Sequence, residues 1–132
     1  MNNALEYLKS CGTFFLATDE DGQPHVRPFG AVCEFENRLY IVTNNQKKVY
    51  QQMKKNGKAE ICGMYKGTWL RVEGVVKEDL RREARAAMMN DNTAALSSMY
   101  TIDDNLMTVF YFEQGTATIY SFTSGPEIIP LV

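Results

Sequence analysis

Hydrophobic and polar residues alternate with a period of two along most of the chain, and this alternation predicts a mainly β protein. Seven segments show the pattern. They are residues 13–18, 24–35, 39–43, 59–65, 68–78 and the two halves of 106–123. Asp21-Gly22 and Gln114-Gly115 lie between alternating segments, and both pairs predict hairpin turns.

Three other segments have the spacing of amphipathic helices. The first covers residues 2–10, the second follows Thr43 and ends at Gly57, and the third begins at Asp79. The apolar stripe of the third helix is Leu80, Ala84, Ala87 and Met88. Residues 91–105 are polar and predict a loop with a short helical piece. About seven antiparallel strands with inserted helices favour a small closed barrel, because closure removes exposed strand edges.

Length and charge narrow the class of protein. The 132 residues are typical of one domain, so we expect residues 1–132 to fold as a single unit. A net charge of −2 disfavours nucleic-acid binding, which usually requires a broad basic face. No stretch approaches the roughly 20 apolar residues of a membrane span, and the N-terminus lacks the pattern of a signal peptide. We therefore expect a cytoplasmic protein without a membrane partner.

The three cysteines, Cys11, Cys33 and Cys62, lie far apart, and His25 is the only histidine. This spacing does not match that of a metal site, so no metal is expected.

The stretch VTNNQKKVYQQMKKN, residues 42–56, places amides and lysines where a strand becomes a helix. Asn44 or Asn45 is expected to cap that helix, leaving the backbone N–H groups of residues 46–48 free. The helix dipole and the ammonium groups of Lys47 and Lys48 add positive potential there. This corner suits a phosphate group. The alternative is the solvated face of a surface helix.

Pro28 and Gly30 interrupt the second strand segment, in the stretch HVRPFGAV. Proline removes a ladder donor and glycine permits close backbone approach, so this strand is expected to be locally unpaired. Its free backbone groups could bind a flat heterocycle, with Arg27 available for a further contact. The alternative is an edge strand with a bulge.

Taken in order, VRPFGAV, LYIVTNNQKKVYQQMKKNGKAEICG and WLRVEG resemble successive elements of the pyridoxamine 5'-phosphate oxidase-like flavoproteins, the FMN-binding split barrels. The resemblance runs from about residue 4 to residue 123. The short length and the stretch RPFGAVCEFENRLYIVTNNQKKV resemble the small branch that contains nitroimidazole-resistance proteins. The resemblance implies a split β-barrel, FMN as cofactor, and a homodimer with the flavin at its interface.

The resemblance also implies which residues bind the cofactor. The residues that line the flavin are Arg27, Pro28, Phe29 and Gly30. The ribityl phosphate region contacts Thr43 and Asn44. The phosphate itself is held by Lys47 and Lys48. Trp69 and Arg71 share one face of their strand, which is expected to meet the flavin or the partner chain.

True oxidases of this family carry a lysine where this sequence has Val32 and a glutamine about where it has Trp69, so oxidation of pyridoxamine phosphate is not expected. The resemblance implies instead an FMN-dependent oxidoreductase that reduces a small substrate, such as an aromatic or nitro compound, with electrons from a nicotinamide or similar donor. The alternative is a non-catalytic protein that binds FMN or haem, as a store or redox sensor.

The sequence does not assign a catalytic residue. His25 is a surface or interface histidine or a proton donor on the substrate side, and Tyr65 and Tyr100 are further possible donors.

Overall fold

The structure, a computed structural model, describes all residues from 1 to 132. The strands are β1 (Phe14–Glu20), β2 (Gln23–Phe29), β3 (Val32–Phe35), β4 (Arg38–Asn44), β5 (Lys58–Tyr65), β6 (Thr68–Asp79), β7 (Met107–Ser121) and β8 (Glu127–Ile129). The helices are α1 (Ala4–Cys11), α2 (Lys48–Lys55), α3 (Arg82–Asp91) and α4 (Thr93–Leu96). None of these helices is long and apolar enough to cross a membrane.

All eight strands belong to one antiparallel sheet, in the order β2-β1-β5-β6-β7-β4-β3, with β8 paired to β7. The prediction of a mainly β fold with inserted helices is therefore confirmed, with eight strands instead of about seven. The turn at Asp21-Gly22 is also confirmed, because both residues have positive φ (52° and 94°) between β1 and β2.

The predicted strand 24–35 is two strands, because the chain leaves the sheet at Gly30 and Ala31. β2 pairs only with β1, and β3 pairs only with β4. Pro28, near the end of β2, has no backbone N–H to donate to a further strand. The barrel is consequently split between β2 and β3, and the backbone edge of β2 is left free.

The hairpin predicted at Gln114-Gly115 is wrong, since β7 continues through both residues as one strand of 15 residues. Gly115 lies opposite Gly74 on β6, and the pairing register shifts between Val75 and Val76. A Cβ atom on Gly74 would lie 1.9 Å from the backbone oxygen of Gln114. The glycine pair and the bulge therefore let two long strands bend together, and this bend looks like a turn in the sequence.

The last residues of the chain hold α1 in place. The backbone N–H groups of Ala4 and Leu5 donate to the carbonyl oxygens of Pro130 and Leu131, at 2.9 and 3.0 Å. The side chain of Asn3 accepts from the N–H of Glu6. Helix N-terminal N–H groups have no partner within their own helix, so these contacts satisfy them and fix α1 against the barrel.

Two groups of buried side chains support the fold. The larger group has 18 residues and fills the barrel beneath α1 and α2, whereas the smaller has 9 and lies where α3 and α4 pack on β3, β4 and β7. Ala84 and Met88 of the predicted stripe are fully buried. Leu80 is 74% exposed, because α3 begins only at Arg82. The smaller group positions the segment that follows α3 beside the end of β4.

Replacing Gly74 with alanine should lower the free energy of unfolding by roughly 2 to 4 kcal/mol, because the new Cβ would collide with backbone and not with a movable side chain. Urea unfolding followed by circular dichroism measures this change. Gly125→Ala is the matched control, since a Cβ there meets nothing within 4 Å. Equal stability of the two variants would contradict a tight crossing of β6 and β7.

Candidate functional site

A cleft of about 230 Å³ opens where β2 leads into β3 and where β4 ends before α2. Five of the residues predicted to bind the cofactor line it. They are Pro28, Phe29, Gly30, Thr43 and Lys47. The other lining residues are Ala31, Val42, Ala95, Leu96, Met99 and Tyr100. The cleft thus has a mostly apolar lining with a few polar groups, which is the usual composition of a small-molecule site.

The hydroxyl of Thr43 has no hydrogen-bond partner. It is the only buried side-chain nitrogen or oxygen of the protein that lacks one. Thr43 is 4% exposed and lies on β4, where its backbone pairs with Thr108 of β7. Its carbonyl oxygen accepts a hydrogen bond from the Thr108 hydroxyl at 3.1 Å. A buried polar atom without a partner costs free energy, so a ligand atom in the cleft would relieve that cost.

Between β4 and α2 the chain makes a tight turn. The side-chain oxygen of Asn44 accepts from the N–H of Gln46 at 2.9 Å, and the N–H of Lys47 donates to the carbonyl oxygen of Asn44. The helix begins at Lys48, and no side chain caps it. The prediction that Asn44 or Asn45 caps α2 and leaves the N–H groups of residues 46–48 free is therefore wrong for the cap, for Gln46 and for Lys47, and right for Lys48. The unpartnered N–H groups are those of Lys48 and Val49.

The loop after α4 is bound to this turn. The side-chain amide of Asn44 donates to the Tyr100 hydroxyl at 3.1 Å. Asn45 donates twice, from its N–H to the carbonyl oxygen of Leu106 (3.0 Å) and from its side-chain amide to that of Asn105 (2.7 Å). Three hydrogen bonds therefore hold Tyr100 and the following loop next to Thr43 and Lys47.

Asp104 organises the same loop. Its carboxylate accepts hydrogen bonds from the N–H groups of Thr101, Leu106 and Met107 at 2.8 to 2.9 Å. Partial burial raises the pKa of Asp104, but these backbone donors outweigh it and hold the pKa below its usual value.

The polar side chains of the lining residues can all donate a hydrogen bond to a ligand. They are the Thr43 hydroxyl, the Lys47 ammonium and the Tyr100 hydroxyl, and no carboxylate is among the lining residues. Such a donor set suits an anion or a group rich in acceptors. At Gly30 a Cβ atom would meet only the carbonyl oxygen of Gly12, at 3.7 Å, so the fold itself does not require glycine there.

Arg27 was predicted to line the flavin, but its side chain is not part of the cleft. Its guanidinium donates to the carbonyl oxygen of Leu16 (3.2 Å), the Thr18 hydroxyl (2.7 Å) and the side-chain oxygen of Gln52 (3.0 Å). Burial lowers the pKa of Arg27. These contacts join β1 and β2 to α2, so Arg27 braces the helix that begins at the cleft.

Lys48, Trp69 and Arg71 also lie outside the cleft. The Lys48 side chain is exposed on α2. Trp69 stacks on Tyr120 with ring centroids 5.8 Å apart, and Arg71 pairs with Glu60. Trp69 and Arg71 thus belong to the outer face of the sheet.

Of the possible proton donors, only Tyr100 lines the cleft. His25 pairs with Glu20 beside the β1–β2 hairpin, at 3.0 Å. Tyr65 contacts the Tyr7 ring edge to face.

Burial raises the pKa of the Cys33 thiol to about 12, and also raises the pKa values of Cys11 and Cys62.

The wall formed by Ala95, Leu96 and Met99 was not found from the sequence. These residues fall within a stretch interpreted as a polar loop, in which the only signal is a brief apolar run. Their place in the cleft comes from the packing of α3 and α4 on β3 and β4.

Residues 2–118 match the family model described as pyridoxamine 5'-phosphate oxidase. The chain belongs to this family. The resemblance inferred from the sequence is therefore confirmed, and the fold is the split barrel of the pyridoxamine 5'-phosphate oxidase family. None of the curated protein sequences matches the chain.

Among solved structures, the chain is similar to a NimC/NimA family protein from Clostridium acetobutylicum, with 49% identity and a TM-score of 0.91 over 96% of this chain and 88% of that one. A heme binding protein from Mycobacterium smegmatis has 16% identity and a TM-score of 0.73, over 96% and 57% of the two chains. A FAD-binding protein from Mesorhizobium loti has 17% identity and a TM-score of 0.64, over 89% and 93%. The last two likenesses show the fold alone.

Replacing Asp104 with asparagine should destabilise the protein at neutral pH, because an amide cannot accept all three backbone hydrogen bonds as strongly. The pKa of Asp104 is lower in the folded than in the unfolded protein, so its contribution is complete above the unfolded value of about 3.9 and is lost as pH falls through the folded value. Urea unfolding at several pH values should show wild type and Asp104→Asn converging below about pH 4. A difference that stays constant down to the acid limit would contradict this role.

Proposed function

We propose that the protein binds FMN in the cleft and uses it to reduce a small substrate, such as an aromatic or nitro compound, with electrons from a nicotinamide or similar donor. The observation that carries the proposal is the buried Thr43 hydroxyl, which has no hydrogen-bond partner and belongs to a residue that lines the cleft. The family, the similarity to a NimC/NimA family protein and a distant FAD-binding neighbour support a flavin.

The residues present fit both ends of FMN. A phosphate monoester carries nearly two negative charges and requires several donors. The polar end of the cleft offers the Lys47 ammonium and the Thr43 hydroxyl, beside the unpartnered N–H groups at the start of α2. The walls at Pro28, Phe29 and Leu96 are apolar and suit a flat ring. Bound FMN would supply hydride and electron transfer, while the protein holds it and limits access to its ring.

We also propose that the protein is a homodimer in which the second copy completes the cleft. At about 230 Å³ the cleft is smaller than the 300 to 1,000 Å³ typical of small-molecule pockets. Pro28 lines the cleft and also pairs with Phe15, so both side chains lie on the outer face of the sheet. The cleft is therefore continuous with that face.

Five large apolar side chains on the outer face are exposed, and a cluster of such side chains often marks an interface. The register of β1, β2, β5, β6, β7 and β8, together with the contact of Phe122 with Trp69, places these side chains on one side of the sheet. They are Phe15 (47% exposed), Val26 (68%), Met64 (71%), Phe122 (92%) and Ile128 (74%). A second copy bringing the same apolar face would bury all of them.

The alternative, a protein that stores or senses a bound cofactor without turnover, uses the same cleft. A heme binding protein shares the fold, so haem is a second cofactor to test. Anaerobic addition of NADH, NADPH or another donor to the flavin-loaded protein separates the two functions. Loss of the flavin absorbance supports an oxidoreductase, whereas a flavin that no donor reduces supports storage or sensing.

Purified protein mixed with FMN should retain it through gel filtration and be yellow. Lys47→Ala should weaken FMN binding about 30-fold, because it removes a charge-assisted bond of about 2 kcal/mol, and should affect riboflavin much less. Titration with each flavin, followed by fluorescence quenching, gives both affinities. Lys48→Ala is the matched control, because that lysine does not line the cleft. A wild-type protein that binds neither flavin would overturn the proposed function.

Met64→Glu should convert the dimer to a monomer without unfolding the chain, because it puts a charge on the exposed outer face. Analytical ultracentrifugation measures the mass. The matched control is Leu80→Glu, since Leu80 is 74% exposed but lies between β6 and α3, away from that face. A dimer that survives Met64→Glu, or that Leu80→Glu dissociates, would place the interface elsewhere.

A further inference from the structure

The orientation of the Asn44 side-chain amide is fixed by its neighbours. One of its atoms lies 2.9 Å from the backbone nitrogen of Gln46, which can only donate, so that atom is the oxygen. The amide nitrogen therefore faces the Tyr100 hydroxyl, at 3.1 Å. An amide nitrogen donates and does not accept, so the Tyr100 oxygen is the acceptor in this bond.

Because Tyr100 accepts from Asn44, its own O–H proton is not used in that bond. No protein atom accepts a hydrogen bond from this hydroxyl. Tyr100 lines the cleft, so its proton is available to a ligand there. The bond from Asn44 also polarises the hydroxyl, which makes it a better donor.

The Tyr100 hydroxyl lies beside the turn that follows β4. Its partner Asn44 follows Thr43 directly in the chain, and Lys47 ends the same turn. The apolar lining, at Leu96 and Met99, belongs to the preceding residues of the same segment. Thr43, Lys47 and Tyr100 are thus the polar residues that line the cleft near this turn, and Lys48 is not among them.

We infer that Tyr100 donates a hydrogen bond to the phosphate group of the ligand and so selects phosphorylated flavins. The inference rests on the proposed function, because it assigns one end of the proposed FMN to this corner. Tyr100 then has the role in phosphate binding that the sequence analysis had given to Lys48. The phosphate would be held by one lysine, Lys47, and by the neutral hydroxyl of Tyr100. Its ring remains a wall of the cleft whether or not the hydroxyl is present.

The test is Tyr100→Phe, which removes the hydroxyl and keeps the ring. Hydrogen bonds to charged groups contribute about 1.5 to 3 kcal/mol, so FMN affinity should fall roughly 10-fold to 100-fold. Riboflavin lacks the phosphate, and its affinity should change by less than about 2-fold. Retained riboflavin binding also shows that the variant is folded with its cleft intact. Lys48→Ala is the matched control and should leave the ratio of the two affinities near that of wild type.

Equal losses for FMN and riboflavin would place the hydroxyl at the ring, the ribityl chain or a substrate, and would overturn the inference. So would an FMN affinity unchanged by Tyr100→Phe. Both outcomes leave the proposed function standing, because wild type binds FMN in each. A wild-type protein that binds neither flavin is a different result, which overturns the proposed function and the inference together.

Discussion

The candidate site depends on the hydrogen bonds that join the turn after β4 to the loop after α4. Asn44 and Asn45 supply them, and their partners are Tyr100, Asn105 and Leu106. The two segments are about 60 residues apart in the chain, and these bonds extend the β4–β7 pairing, in which Asn44 lies opposite Met107. With them, a strand end, a helix start and a loop make one rigid corner. Side chains held in this way need little further ordering when a ligand binds, which preserves affinity.

Two features of that corner concern ligand binding more than folding. The Thr43 hydroxyl is buried without a partner, which destabilises the free protein, and the start of α2 has no side-chain cap for its backbone N–H groups. Asn44 could have capped the helix, but its oxygen is used to close the turn. The protein thus forgoes local stability where a ligand would restore it, as binding sites often do.

Much of this architecture could be read from the chain. The alternation of apolar and polar residues predicted a mainly β fold. The family motifs indicated Pro28, Thr43 and Lys47 as candidate cofactor-binding residues. The hairpin predicted at Gly115 and the single strand predicted through Gly30 were both wrong, and for the same reason. A glycine between alternating segments does not show whether the strand continues, bends or ends there. At Gly115 the strand bends with its neighbour, whereas at Gly30 it breaks. Local sequence does not show which neighbour a strand has, and this also hid the wall at Leu96, which only long-range packing places in the cleft.

The position of Pro28 connects assembly to binding. This residue belongs both to the cleft and to the apolar outer face, so a second copy seated on that face also closes the cleft. A ligand that contacts both copies would bind the dimer better than the monomer, and would stabilise the dimer by the same free energy. In the proposed homodimer, cofactor affinity would therefore rise with protein concentration. In that homodimer the exposed apolar face and the small cleft would be two parts of one site.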